Sequence, residues 1–181
     1  MFPVKAVMKK LMSVALCVAC LFATRFADAK TVPNLALKDL AGHSQQLSEL
    51  RGQIVVLSFW ATWCAPCREE LPRLSKLSEE FAGRKVHFVA VSIDDPKDRA
   101  KIEPYLLKQD IHLDVWVGGS AELLGRFRMG DIVPGTLILD EQGQVITRIM
   151  GEAKDDDVRS RLDWLLNGRQ GAAPEQKLKR Y

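Results

Sequence analysis

Cysteine is scarce in this 181-residue chain, with four residues, and histidine is scarcer, with three. His43, His87 and His112 are scattered along the chain. They do not join Cys64 and Cys67 in the four-ligand spacing of a structural zinc site, so no metal is expected. Arg68 directly follows Cys67, where a c-type haem attachment would need histidine. The apolar run at the N-terminus, Leu11–Ala23, spans 13 residues, short of the roughly 20 that a membrane-crossing helix needs. No internal repeat and no low-complexity segment is present. At 47% hydrophobic and 27% charged residues, the composition is that of one globular domain able to build a core without disulfide staples.

The first thirty residues differ from the rest. Lys5, Lys9 and Lys10 precede the Leu11–Ala23 run, and Ala27-Asp28-Ala29 follows it. A basic start, a short apolar stretch and a small-residue site together read as a secretory signal peptide cleaved after Ala29. A retained N-terminal membrane anchor is the alternative. A lipid on Cys20 fits less well, because Cys17 stands where an aliphatic residue is expected. The organisation is then a leader over 1–29, a domain over 30–168 and a polar, flexible tail over 169–181. Of 26 basic and 23 acidic residues, four basic ones (Lys5, Lys9, Lys10, Arg25) and Asp28 belong to the leader, which leaves 22 of each. A balanced mature chain gives no reason to expect nucleic acid as a partner. Cys17 and Cys20 also leave with the leader. Export to the periplasm is oxidising for thiols, and the mature chain there keeps only Cys64 and Cys67.

Hydrophobic periodicity outlines the elements. Leu35–Asp39 and Gln45–Leu47 can pair as a hairpin around Ala41-Gly42. Ile54–Trp60 and Val86–Ile93 are apolar runs of the kind found in buried parallel strands. From Pro66 onward, Leu71, Leu74, Leu77 and Phe81 recur at helical spacing, with Pro72 expected to kink the helix and Gly83 to close it. Asp94-Asp95-Pro96 reads as the capped start of a helix that Pro104 bends or splits. Asp114–Val117 is a short strand and Ala121–Phe127 a short helix. Thr136–Asp140 and Val145–Met150 form a hairpin, and Asp155–Leu166 is amphipathic, with Val158, Leu162, Leu165 and Leu166 on one face. Strands alternating with helices indicate an α/β fold, a central mixed sheet flanked by helices on both faces.

The pair Cys64-Ala65-Pro66-Cys67 sits where an apolar strand gives way to a helix. Two cysteines one helical turn apart can bring their sulfurs together. The helix N-terminus supplies free N–H groups and partial positive charge, which stabilise a thiolate on the first cysteine. Attack by Cys64 on a partner disulfide and resolution by Cys67 is the chemistry that follows. A purely structural disulfide across so short a loop would stabilise little. A peroxidase of the peroxiredoxin kind would want Pro and Thr upstream, where Leu57 and Ala61 stand.

The segment FWATWCAPCREELP (Phe59–Pro72) resembles the active-site segment of the TlpA/ResA-like thioredoxins, exported or membrane-tethered thiol–disulfide oxidoreductases, many serving cytochrome c maturation. Val133-Pro134 before a strand, and Leu137–Gly143 after it, extend the resemblance, which covers about residues 32–167. The 70 residues from Cys64 to Pro134 leave room for the helix–strand insertion of this branch, about Asp94–Val117. The resemblance implies a thioredoxin fold with an N-terminal hairpin, Cys64 and Cys67 as catalytic residues, and no cofactor. It implies a substrate surface formed by Trp63, Ala65, Pro66, Val133 and a cis Pro134. Its partners would be protein thiols or disulfides and a membrane redox partner. It favours a reductant, with an oxidant or isomerase as the alternative; a non-catalytic metal-handling or partner-binding module on the same fold is an alternative of another class.

Three positions depart from that pattern. Ser58 replaces a buried Asp, Ala65 stands where several relatives carry Glu, and Gly135 replaces Thr. With Glu69 and Glu70 read as a solvated helix start and Asp94 as a helix cap, no carboxylate near Cys67 is expected. Resolution should then be slow and strongly pH-dependent, and Ser58→Asp should speed it.

Overall fold

Ile54–Trp60 forms β3, and all seven of its residues are buried. A strand covered on both faces and paired on both edges has no use for polar alternation. In the computed structural model, which describes residues 33–175, β3 lies inside a seven-stranded mixed sheet of order β2-β1-β5-β4-β3-β6-β7. The leader, its cleavage site and the last residues of the tail lie outside the described residues. All described residues belong to the second of the two units into which the chain divides, Thr31–Tyr181.

The remaining strands are β1 (Ala36–Asp39), β2 (Ser44–Gln46), β4 (Val86–Ser92), β5 (Asp114–Val117), β6 (Gly135–Leu139) and β7 (Val145–Met150). β3 pairs in parallel with β4 and antiparallel with β6. β5 continues the parallel part beside β4, and the β1–β2 hairpin joins its far edge antiparallel. The helices are α1 (Ala65–Glu80), α2 (Ile102–Lys108), α3 (Ala121–Arg126) and α4 (Asp155–Leu166). This is the thioredoxin-type α/β architecture expected, with α2 and β5 as the insertion.

Alternate residues of β3 enter two separate cores, as the two-residue period of a strand requires. Val55, Leu57 and Phe59 pack with Ile102, Leu106, Leu123 and Leu124 from α2 and α3. Ile54 and Val56 pack with Leu74 and Leu77 of α1 and Val158, Leu162 and Leu165 of α4. Ser58 shares the parity of Ile54 and Val56, so it points toward α1.

The prolines behave differently from one another. Pro104 falls in the first turn of α2, where a missing N–H breaks no helical bond, so it starts that helix instead of splitting it. Pro72 lies inside α1, which continues past it to Glu80. Its missing N–H leaves the Arg68 carbonyl without its helical donor. The Tyr105 hydroxyl of α2 donates to that carbonyl at 3.1 Å, and the Tyr105 ring packs on Trp60 with centroids 5.6 Å apart. The insertion is thereby fastened to the helix that carries the cysteines. After α4, Arg169 reaches Asp140 at 2.6 Å, and Trp164 donates to the Gly171 carbonyl at 3.4 Å.

Candidate active site

β3 ends at Trp60, and the chain turns through Ala61 to Cys64, whose N–H donates to the Ala61 carbonyl at 3.1 Å. Cys64 is the N-cap of α1, with extended backbone, and its sulfur accepts the Cys67 N–H at 3.3 Å. Cys64 and Cys67 are joined as a disulfide with Cα atoms 5.3 Å apart. Pro66 occupies the first turn, where its fixed φ suits a helix start. Cys64 keeps 5% of its surface exposed and Cys67 1%, so the first cysteine is the one a substrate sulfur can reach.

The turn before Cys64 is held from β4. Asp94 is buried and does not cap its own helix: residues 95–98 form no helix. Its carboxylate instead accepts the Thr62 N–H at 3.1 Å, the Thr62 hydroxyl at 2.6 Å and the Ser92 hydroxyl at 2.9 Å. The expected cap is thus a brace for the active-site turn. Trp116 and Trp60 are core residues.

The expected substrate-facing residues split by exposure. Trp63 is 64% exposed, and Ala65 and Pro66 are exposed beside it. Ile132, not singled out from sequence, is 54% exposed two residues before Pro134. Val133 and Pro134 are buried, and the Val133–Pro134 bond is cis. Val133 belongs to the same buried cluster as both cysteines. Gly135 has Met129 against it: a β-carbon there would lie 3.1 Å from the Met129 methyl, which accounts locally for the absence of a larger residue. Two hollows of about 290 and 310 Å³ flank the start of α1 and meet at Tyr105, the first lined by Arg68 and Lys108, the second by Trp63 and Lys101.

Beneath the disulfide the structure corrects the sequence reading. Glu69 is exposed, but Glu70 is only 1% exposed. It lies one turn after Cys67 on the buried face of α1, the i,i+3 position that places side chains side by side. Its carboxylate accepts the Ala153 N–H at 2.7 Å, the Thr136 hydroxyl at 2.8 Å and the Ser58 hydroxyl at 3.3 Å. Ser58 and Thr136 face each other in register across β3 and β6. Burial pushes the Glu70 carboxyl above its ordinary range, while these three donors and the Arg73 charge pull it partly back. A buried carboxylate, absent from positions 58 and 65, thus stands at position 70. The signals were present but indirect: a serine and a threonine interrupt otherwise apolar strands, both on the side facing α1, and Glu70 follows Cys67 at helical spacing.

Ser58→Asp consequently has the opposite expected effect. A second carboxylate placed against Glu70 lacks a compensating charge, and the variant should lose about 3 kcal/mol or more of stability at neutral pH. Urea unfolding at pH 7 checks this; a wild-type midpoint would contradict the geometry.

Among the described residues no group of three or more His, Cys, Asp or Glu side chains is arranged to hold a metal ion. A family model described as AhpC/TSA family matches residues 29–148. The chain belongs to the AhpC/TSA family. Within it, the chain is 30% identical over 140 residues to the thiol-disulfide oxidoreductase ResA of Geobacillus kaustophilus, covering 77% of this chain and 79% of that protein. It is 30% identical over 141 residues to the thioredoxin-like protein YneN of Bacillus subtilis, covering 75% of this chain and 79% of YneN. A solved thiol:disulfide interchange protein of the thioredoxin family from Chlorobium tepidum superposes with a TM-score of 0.65 at 25% identity, covering 77% of this chain and 98% of that one. This member of the AhpC/TSA family is therefore an enzyme, a thiol–disulfide oxidoreductase of the ResA type. Leu57 and Ala61, where the peroxidase pattern wants Pro and Thr, are both buried in apolar surroundings.

Proposed function

We propose that this oxidoreductase is a periplasmic reductant of exported protein disulfides, including those arising in cytochrome c maturation, with its leader removed after Ala29 and its electrons drawn from a membrane redox partner. The observation that carries the reading is Glu70 buried one turn beneath Cys67. In the reduced protein the Cys64 thiolate attacks a substrate disulfide, forming a Cys64–substrate bond and releasing one substrate thiolate. Cys67 then passes its thiol proton to Glu70. Its sulfur attacks Cys64, the protein disulfide closes, and the second substrate thiolate leaves. The raised proton affinity of Glu70 suits it to accept a proton from a thiol, since acid–base efficiency rises as the two affinities approach.

The same carboxylate bears on direction. An ionised Glu70 opposes a second negative charge on Cys67, so it favours the disulfide over the dithiol and makes the couple more reducing. The substrate chain would lie across Trp63, Ala65 and Pro66, against the backbone at Val133 and Pro134, with flanking residues entering the hollows at Tyr105. Val133 backbone groups serve there because Pro134 has no N–H to offer. Equilibration with glutathione, read by the redox state of the Cys64–Cys67 pair, tests the direction. A potential below the roughly −200 to −230 mV of glutaredoxins is expected, whereas one near the roughly −120 mV of strong disulfide donors would overturn the reductant reading.

A further inference from the structure

Glu70 is held by a loop, and that loop is held by Arg73. We infer that Arg73 is a positioning residue for the Glu70 proton site: it clamps the segment 152–155 so that the Ala153 N–H stays on the carboxylate. The inference rests on Glu70 acting as the proton acceptor for Cys67. Glu70 and Arg73 lie one turn apart on α1 and grip the same short segment. Glu70 accepts the Ala153 N–H at 2.7 Å. Arg73 donates from Nη2 to the Ala153 carbonyl at 3.2 Å and to Glu152 at 2.7 Å, and from Nη1 to Asp155 at the start of α4. The planar guanidinium fork makes these bonds from two separated nitrogens in fixed directions, where a lysine would have to make them from a single nitrogen.

The surroundings leave few other ways to fix that donor. Ser58 faces Glu70 from β3 and Thr136 from β6, and both are uncharged hydroxyls whose protons can rotate. The loop contributes Glu152, which also accepts from Lys154 at 2.7 Å, and α4 contributes Asp155. On α1 the ionisable neighbours are Cys67, once reduced, and Arg73 itself. The Ala153 N–H is thus the one donor to Glu70 whose direction is set by backbone, and its aim depends on the loop that Arg73 holds. Arg73 also offsets part of the burial that raises the proton affinity of Glu70.

The test follows resolution directly. The reduced chain is mixed with an aromatic disulfide whose thiolate is coloured. One equivalent is released when Cys64 attacks and a second when Cys67 resolves, and the second phase is recorded against pH. Arg73→Met should move the midpoint of that phase to higher pH while leaving its high-pH plateau at the wild-type rate. Arg73→Lys, which keeps the charge but not the fork, should fall between the two, and it carries the test alone if Arg73→Met fails to fold. A wild-type midpoint in the folded variants, or a lowered plateau with no shift, overturns the inference. Glu70→Gln is run alongside. If it also keeps the wild-type midpoint, the Glu70 assignment fails and the Arg73 inference with it; if it removes that midpoint, leaving only the rise with Cys67 ionisation at higher pH, while Arg73 variants leave it in place, only the Arg73 inference fails.

Discussion

Cys67→Ala will accumulate mixed disulfides with its substrates, and Cys64→Ala will trap almost none. The asymmetry follows from position. Cys64 caps α1, where free N–H groups and the helix dipole favour a thiolate, and it is the more exposed residue of the pair. Cys67 is sealed inside the cluster that also holds Val133 and Leu71, so an incoming disulfide meets Cys64 first. Removing Cys67 leaves attack intact and deletes the only other thiol among the described residues, the one that can release the substrate. Non-reducing gels of the tagged variants, followed by mass spectrometry of the captured chains, read the result. Equal trapping by the two variants would reverse or erase the assignment of roles. The captured chains would also identify the substrates.

Glu70→Gln will slow resolution by about 10- to 100-fold near pH 7, with little effect on the first attack. General acid–base catalysis contributes about 10²–10⁴-fold when nothing replaces it. A thiol ionises by itself to a few per cent near neutrality, so the effect falls to the bottom of that range or just below it. The deficit should shrink as pH rises and Cys67 loses its proton to water. Rapid-mixing kinetics of the two thiolate-release phases separate the steps; an equal slowing of both phases would mean that Glu70 serves the fold and not the proton. Stability gives an independent reading. Burial raises the folded-state proton affinity of Glu70 above its ordinary value. The carboxyl therefore contributes its full share of stability only while protonated in both states, below that ordinary value, and loses it as pH rises through the folded-state value. The stability of Glu70→Gln relative to wild type should accordingly increase from acid toward neutral pH. Urea midpoints that move in parallel for the two proteins would show that Glu70 titrates normally.

The sequence by itself determined the chemistry and the order of the strands. Cys64 and Cys67 are three residues apart at a strand-to-helix junction, so local geometry alone brings them together, and the structure joins them. The continuous apolar run Ile54–Trp60 could only be a strand covered on both faces, and it is fully buried within the sheet. Val133-Pro134 was legible by resemblance to a family segment, and its bond is cis. Tertiary structure decided what long-range contacts decide. Whether Glu70 meets water or a strand depends on where β3 and β6 pass under α1, because helical spacing places Cys67 and Glu70 on one face without saying what covers it. Whether Asp94 caps a helix or braces Thr62 depends on a contact across 32 residues of chain, which no local propensity encodes. Whether Arg73 is a surface charge or a clamp depends on a loop about 80 residues away. Each of these side chains is polar, and a polar residue in sequence carries no sign of its depth: the balance between desolvation and donors that fixes its role exists only once the donors have been folded into place.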